Sequence, residues 1–216
     1  MMKRIFFLLS FVCGLTSLTM AQSAQYENVM TKNVALLDDS SSYNPQKLQE
    51  LANTFERIAA AEKSQWLPFY YAGYCYVMTA FMEKDNSKKD VIADRAALNA
   101  EQAAALSPDN DEINCIRSLI ATSRIAVDPP SRGMQYGMES AKLLAEANKI
   151  NGENPRVYFL IGQSLYYTPE QFGGSKTKAK EMFQKALDKF GSFKPTSNIA
   201  PHWGEYRTKQ MLAELK

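Results

Sequence analysis

The chain has 216 residues, 45% hydrophobic and 22% charged, an ordinary globular composition that excludes a disordered tail, a collagen and a polytopic membrane protein. Its formal charge of +2 comes from Lys3 and Arg4, because residues 1 to 21 contain no acid; beyond them bases and acids balance at 23 each. No nucleic-acid footprint is indicated.

Met1 to Arg4 form a short basic segment, Ile5 to Leu18 an apolar one, and Thr19-Met20-Ala21 closes it with a small residue before Gln22. This is the three-part pattern of a secretory signal, with cleavage expected after Ala21 and a periplasmic or secreted mature chain. The apolar run falls short of the roughly 20 residues that a spanning helix needs; an uncleaved anchor is the alternative. No later run is long and apolar enough to span. Ser10-Phe11-Val12 is a poor match for the small residues that precede a lipidated cysteine, which leaves Cys13 as a filler of the leader. Cys75 and Cys115 remain, too few for a disulfide-stapled module, so the fold rests on its apolar core.

Turn-forming residues then divide the chain at Asp38 to Asn44, Lys63 to Ser64, Asp85 to Lys89, Ser107 to Asn110, Asp128 to Gly133, Asn151 to Asn154, Pro169 to Gly174 and Gly191 to Ala200. The segments between them carry helical spacing. Leu48, Leu51, Ala52, Phe55, Ile58 and Ala59 recur at three and four residues, as do Met182, Phe183, Ala186, Leu187 and Phe190. Asn44-Pro45, Ser107-Pro108 and Asn154-Pro155 each read as a cap followed by a first-turn proline. Phe69 to Phe81 has aromatic and β-branched content that suits a strand, but its length without a turn residue and the stripe Phe69, Gly73, Tyr76, Ala80 favour helix. Gly173 and Gly174 are expected in a left-handed turn with Ser175 capping the next helix.

Aligned on itself, the chain repeats. Ala52, Ala96, Ser140 and Ala179 are spaced by 44, 44 and 39 residues, and Ala59, Ala103, Ala147 and Ala186 follow each of them by seven. Gly73, Ser118 and Gly162 are spaced by 45 and 44 in the intervening segments. Small residues at fixed places let helix backbones approach closely, and such a period means stacked helical hairpins, none of which buries its face alone.

These residues resemble the tetratricopeptide repeat. Tyr158, Ile161 and Gly162 within Pro155 to Tyr166 match that family's first helix, and Ala179 to Leu187 matches its second. Trp66, Phe69, Ala72, Gly73 and Tyr76, followed by Ala96, Ala100, Ala103 and Pro108, give a second copy; a central copy with Asn114, Arg117, Ser118, Ser140, Leu144 and Ala147 is degenerate. The resemblance implies an all-α fold of tetratricopeptide-like hairpins in a right-handed superhelix, with a HEAT-like array as the alternative. Its units run roughly over 26–65, 66–108, 109–154 and 155–200 of a single domain, 22–216, with 201–216 as a cap and His202 to Leu215 as the capping helix. The units exceed the family's 34 residues, and the surplus falls at Glu83 to Val91 and Ile125 to Tyr136, as longer helices or as inserted loops.

In this family the first helix of each pair lines the concave side. Carried over by residue, Tyr70, Tyr74, Val77 and Met78, then Glu112, Cys115, Leu119 and Thr122, then Arg156, Phe159, Gln163 and Tyr166 face the groove. Tyr70, Tyr74, Met78, Leu119, Arg156, Phe159, Gln163 and Tyr166 are the expected binding residues. Tyr70, Tyr74, Cys115 and Leu119 depart from the Lys, Asn and Arg pattern of members that clamp a C-terminal carboxylate, and an aromatic groove suits an apolar extended or helical ligand. The alternative is that neighbouring repeats or a helix over Tyr26 to Leu37 cover these residues. On the same match Cys75 and Cys115 are offset by about a turn and a half, too far for a bridge, so both are expected as buried free thiols.

No catalytic or metal-ligating constellation stands out, and no cofactor is indicated. His202 has no histidine companion or carboxylate cluster at ligand spacing and reads as a solvated or capping residue. Phe172 to Thr177 lacks the first glycine and the strand of a phosphate loop. Asp109, Asp111 and Glu112 read as acids at a helix start, with calcium binding a weak alternative, and Lys176, Lys178, Lys180 and Lys185 as a solvated face. The expected function is therefore non-enzymatic: a periplasmic or envelope scaffold holding an unidentified protein or peptide, with a small apolar ligand-binding or transport-associated extracytoplasmic protein as the alternative.

Overall fold

The computed structural model describes residues 24–38 and 43–215; the expected leader, 1–21, lies outside the described residues. The described chain is an all-α array. Its helices are α1 (24–35), α2 (Pro45–Ala61), α3 (Trp66–Met82), α4 (Asn86–Leu106), α5 (Asp111–Ile125), α6 (Pro129–Ile150), α7 (Pro155–Tyr167), α8 (Lys176–Ser192) and α9 (Glu205–Ala213), with one 3-10 turn, Glu170–Phe172. The segment that could have been a strand is α3.

Local chemistry sets most of these starts. Asn44 and Asn154 accept backbone N–H groups of Lys47 and Arg156 through their side chains, and the prolines that follow occupy first turns where no N–H bond is needed. Ser107-Pro108 is not a helix start: Ser107 closes α4, Asp109 takes a left-handed φ of 54°, and Asn110 caps α5 by accepting from Glu112 and Ile113. Most of the surplus residues of each unit are helix and not inserted loop. Asp85 caps Ser87, so Lys88 and Lys89 are helical and α4 runs for 21 residues. Pro129 and Pro130 open α6, which runs for 22 through Gly133. Gly173 is left-handed, at φ 92°, but Gly174 is needed for space, since a Cβ there would lie 1.7 Å from the Thr168 carbonyl oxygen.

The repeated small residues are where partner helices meet. A Cβ on Gly73 of α3 would lie 3.3 Å from the Ala96 carbonyl oxygen of α4, and one on Gly162 of α7 would lie 2.6 Å from Cε1 of Phe183 in α8. Between α5 and α6 the corresponding pair, Ser118 and Ser140, shares a hydrogen bond of 2.8 Å. α3 packs against both α2 and α4, α5 against α6, α7 against α8 and α8 against α9, while α3, α5 and α7 also touch side by side. Tyr26, Met30, Val34 and Leu37 of the N-terminal segment join the same buried cluster as Leu48, Phe55, Tyr71 and Tyr74.

The expected C-terminal helix is shorter than its reading. α9 begins only at Glu205, because Gly204 takes a left-handed φ of 110° and residues 201–203 are irregular. The segment before it crosses onto α3 and α7 and determines what their inner face presents.

Candidate ligand-binding site

Three helices, α3, α5 and α7, bring the expected groove residues side by side. The sequence made α3 apolar on nearly all sides, and the structure gives each side a partner. Tyr71 stacks on Phe55 of α2, with ring centroids 5.2 Å apart at 23°, while Tyr70 meets Trp66 edge-on at 5.5 Å. Tyr70, Tyr74, Val77, Cys75, Cys115, Leu119 and Phe159 are buried. Met78, Thr122, Gln163 and Tyr166 are partly exposed. The expected residues therefore divide: Tyr70, Tyr74, Leu119, Arg156 and Phe159 do not line an open surface, and the accessible end consists of Met78, Gln163 and Tyr166.

The cover is the segment 199–204, whose Trp203 was not singled out from sequence. Trp203 stacks on Tyr74, with centroids 5.1 Å apart at 29°, and meets Phe159 edge-on at 6.4 Å. Its indole Nε1–H donates to the Tyr70 hydroxyl at 2.7 Å, and the Tyr71 hydroxyl donates to the Ile199 carbonyl at 2.9 Å. Aromatic stacking and these two bonds hold an otherwise irregular segment against α7 and against α3, more than a hundred residues away in sequence.

Beneath Trp203 lies a buried charge pair. Arg156, 0% exposed, donates from Nε to both Glu112 oxygens at 2.8 Å and from Nη2 to Oε1. Asn154 adds an Nδ2–H bond to Oε1 at 2.7 Å, and the Tyr70 hydroxyl donates to Oε2 at 3.3 Å. Arg156 Nη1 also points at the Trp203 carbonyl, 3.5 Å away. The bonds close a ring from Trp203 through Tyr70, Glu112 and Arg156 back to Trp203. Burial raises the Glu112 carboxyl above the usual carboxylate range, with Arg156 opposing that rise. Burial likewise pushes the Tyr70 phenol well up, with Glu112 adding to it, so Tyr70 stays a proton donor. Read from sequence as a helix-start acid as well as a groove residue, Glu112 is the hub of this network; its partner lies 44 residues on, beyond the reach of any local pattern.

At the accessible end, the Tyr166 and Tyr167 rings meet edge-on at 4.9 Å, and Lys176 Nζ lies 5.7 Å from the Tyr166 ring centroid. Arg207 Nη2 donates to the Tyr167 hydroxyl at 3.2 Å, and its Nη1 pairs with Glu214 at 3.3 Å. Aromatic faces with cations at their rim can take a flat apolar body that carries acidic groups at its edge.

His202 is not simply solvated. Its Nδ1 is 2.8 Å from the Ala200 carbonyl and its Nε2 is 2.6 Å from Asp38, so it ties the covering segment to the end of the N-terminal helical segment. The cleft beside it, about 540 Å³, is lined by Thr31, Ala35, Asp38, Pro195 to Asn198 and His202, a wall about equally polar and apolar. Among the described residues no group of three or more His, Cys, Asp or Glu side chains is placed to hold a metal. Cys75 and Cys115 are buried and unbridged, and burial raises both thiols far above their ordinary range.

No protein-family model matches the chain, and no curated protein matches it. Among solved structures it is similar to the HusA haemophore from Porphyromonas gingivalis, at 41% identity over 88% of this chain and 92% of that one, with a TM-score of 0.80.

Proposed function

The chain belongs to the HusA haemophore family, and we propose that it is an exported, non-enzymatic carrier that holds haem or a closely related porphyrin on the inner face of α3, α5 and α7. The small-ligand reading thus takes the place of the protein scaffold. The observation that carries it is the match to a haemophore along nearly the whole of both chains. A porphyrin is a flat apolar ring with carboxylates at one edge, and the inner face offers that chemistry. Tyr166 and Met78 supply apolar contact, and Lys176, against the Tyr166 ring, supplies a cation where a carboxylate would lie. Phe159 and Tyr166 are seven residues apart on one helix face, about 10 Å along the axis, the scale of a porphyrin's breadth. Residues 1–21 serve as the export signal. We also read the array as tetratricopeptide-like, a reading supported by the close approach of Gly162 to Phe183.

Ligation of iron by histidine or cysteine is not what these residues favour, and the Tyr166 hydroxyl is engaged with Glu214 at 3.3 Å. Both nitrogens of His202, the chain's one histidine, are engaged, and both cysteines beyond the leader are buried. Ring faces and carboxylate contacts then hold the ligand, so haem and iron-free protoporphyrin bind with similar affinity. Absorbance titration of the mature protein tests the reading. Haem produces a saturable spectral change at one equivalent, and Tyr166→Ala and Lys176→Ala each weaken binding by about tenfold, the loss of one good contact. Absence of any saturable change with either porphyrin would overturn it.

A further inference from the structure

We propose that residues 199–204 form a strap that the ligand displaces, with Trp203 occupying the place on the Tyr74 ring, beside Phe159, that a ligand ring enters. The inference rests on the porphyrin reading above and extends its site from the open Tyr166 end to the covered end of the same face.

Trp203 is placed as a planar aromatic ligand would be. It stacks on Tyr74, abuts Phe159 and lies 5.8 Å from the Arg156 guanidinium carbon. Its attachment differs from that of the surrounding core. Tyr74, Phe159 and Arg156 belong to hydrogen-bonded helices, whereas the strap's main chain makes two backbone bonds, one at each end: Ala200 N–H to the Ser197 carbonyl at 3.1 Å, and Thr208 N–H to the Gly204 carbonyl at 2.9 Å. Side-chain bonds to Tyr70, Tyr71, Arg156 and Asp38 do the rest. Such bonds exchange readily for bonds to water.

The strap also has a hinge and somewhere to go. Gly204 supplies the left-handed turn into α9, at a position where a Cβ would lie 3.0 Å from Phe190 and 3.6 Å from Phe159. Beside His202 lies a cleft of about 540 Å³, bounded by Thr31, Ala35 and Asp38 on one side and Pro195 to Asn198 on the other. Displacement exposes the apolar faces of Tyr74 and Phe159 together. It also releases Arg156 Nη1 from the Trp203 carbonyl, leaving an N–H donor for a ligand carboxylate while Glu112 keeps the rest of the guanidinium neutralised.

Two measurements on the mature protein test this. Hydrogen exchange followed by mass spectrometry reads the 195–206 peptide with and without saturating haem; its amides exchange faster in the complex, while those of α3 and α7 do not. Trp203→Ala removes the occupant, so haem binds more tightly, on the order of tenfold, because a covered site lowers apparent affinity by the fraction of molecules that are open. Trp203→Phe, which fills that place but loses the bond to Tyr70, falls between the two and guards against a misfolded alanine variant, with helicity by circular dichroism as the check. If haem binds while the strap amides stay as protected and neither variant tightens binding, the strap is permanent core and this inference fails alone. If neither the native chain nor either variant binds a porphyrin, the functional reading falls and takes the strap with it.

Discussion

Glu112 shows how a single side chain changes meaning between sequence and structure. At the start of α5 its charge suits the positive end of the helix, yet the carboxylate is buried and satisfied by Arg156, Asn154 and Tyr70. Removing one partner of a buried pair leaves the other charged and unpaired, which typically costs about 3 to 5 kcal/mol. Glu112→Ala is therefore expected to lower stability by that amount in urea denaturation; a loss below about 1 kcal/mol would mean that water reaches Arg156. The cysteines make a second case. Burial holds both thiols protonated and out of reach, so a thiol reagent at about pH 8, near the pKa of a free cysteine, is expected to label neither until the chain is unfolded. Labelling of either in the native state would contradict the packing of α3 against α5.

At the scale of the helix, the glycines of the array are not equivalent. Gly162 touches the Phe183 ring so closely that an added methyl must displace a fully buried aromatic. Gly137 of α6 has no atom within 4 Å of the position a Cβ would take. Gly162→Ala is expected to destabilise by about 1 to 3 kcal/mol as an overpacked core. Gly137→Ala is expected to stabilise by about 0.5 to 1 kcal/mol, because alanine orders a helix at less entropic cost. Thermal melts of the two variants shifting in the same direction would refute the assignment. The same contrast explains the long unit. α4 and α6 run for 21 and 22 residues because Asp85 and the Pro129-Pro130 pair start them early, and turn-forming residues in a first helical turn cost little.

For the whole molecule, a ligand that binds only the folded chain raises its stability by mass action. At free haem about a hundred times the dissociation constant, unfolding is expected to require about 2.7 kcal/mol more; no change in the denaturation midpoint would argue against a specific site. By itself the sequence determined the helices, their order and the small residues at which partner helices touch, because helical periodicity and close packing recur at fixed short spacings in the chain. It also indicated the aromatic richness of α3 and α7, but not which residues of their inner face stay accessible. Only the tertiary structure decided that Trp203 covers Tyr74 and Phe159, that His202 ties the strap to Asp38, and that Glu112 faces Arg156. Those contacts join residues from 44 to 164 positions apart. An irregular segment has no period from which its landing place can be read, and a buried charge is recognised only by the partner that the folded chain brings to it.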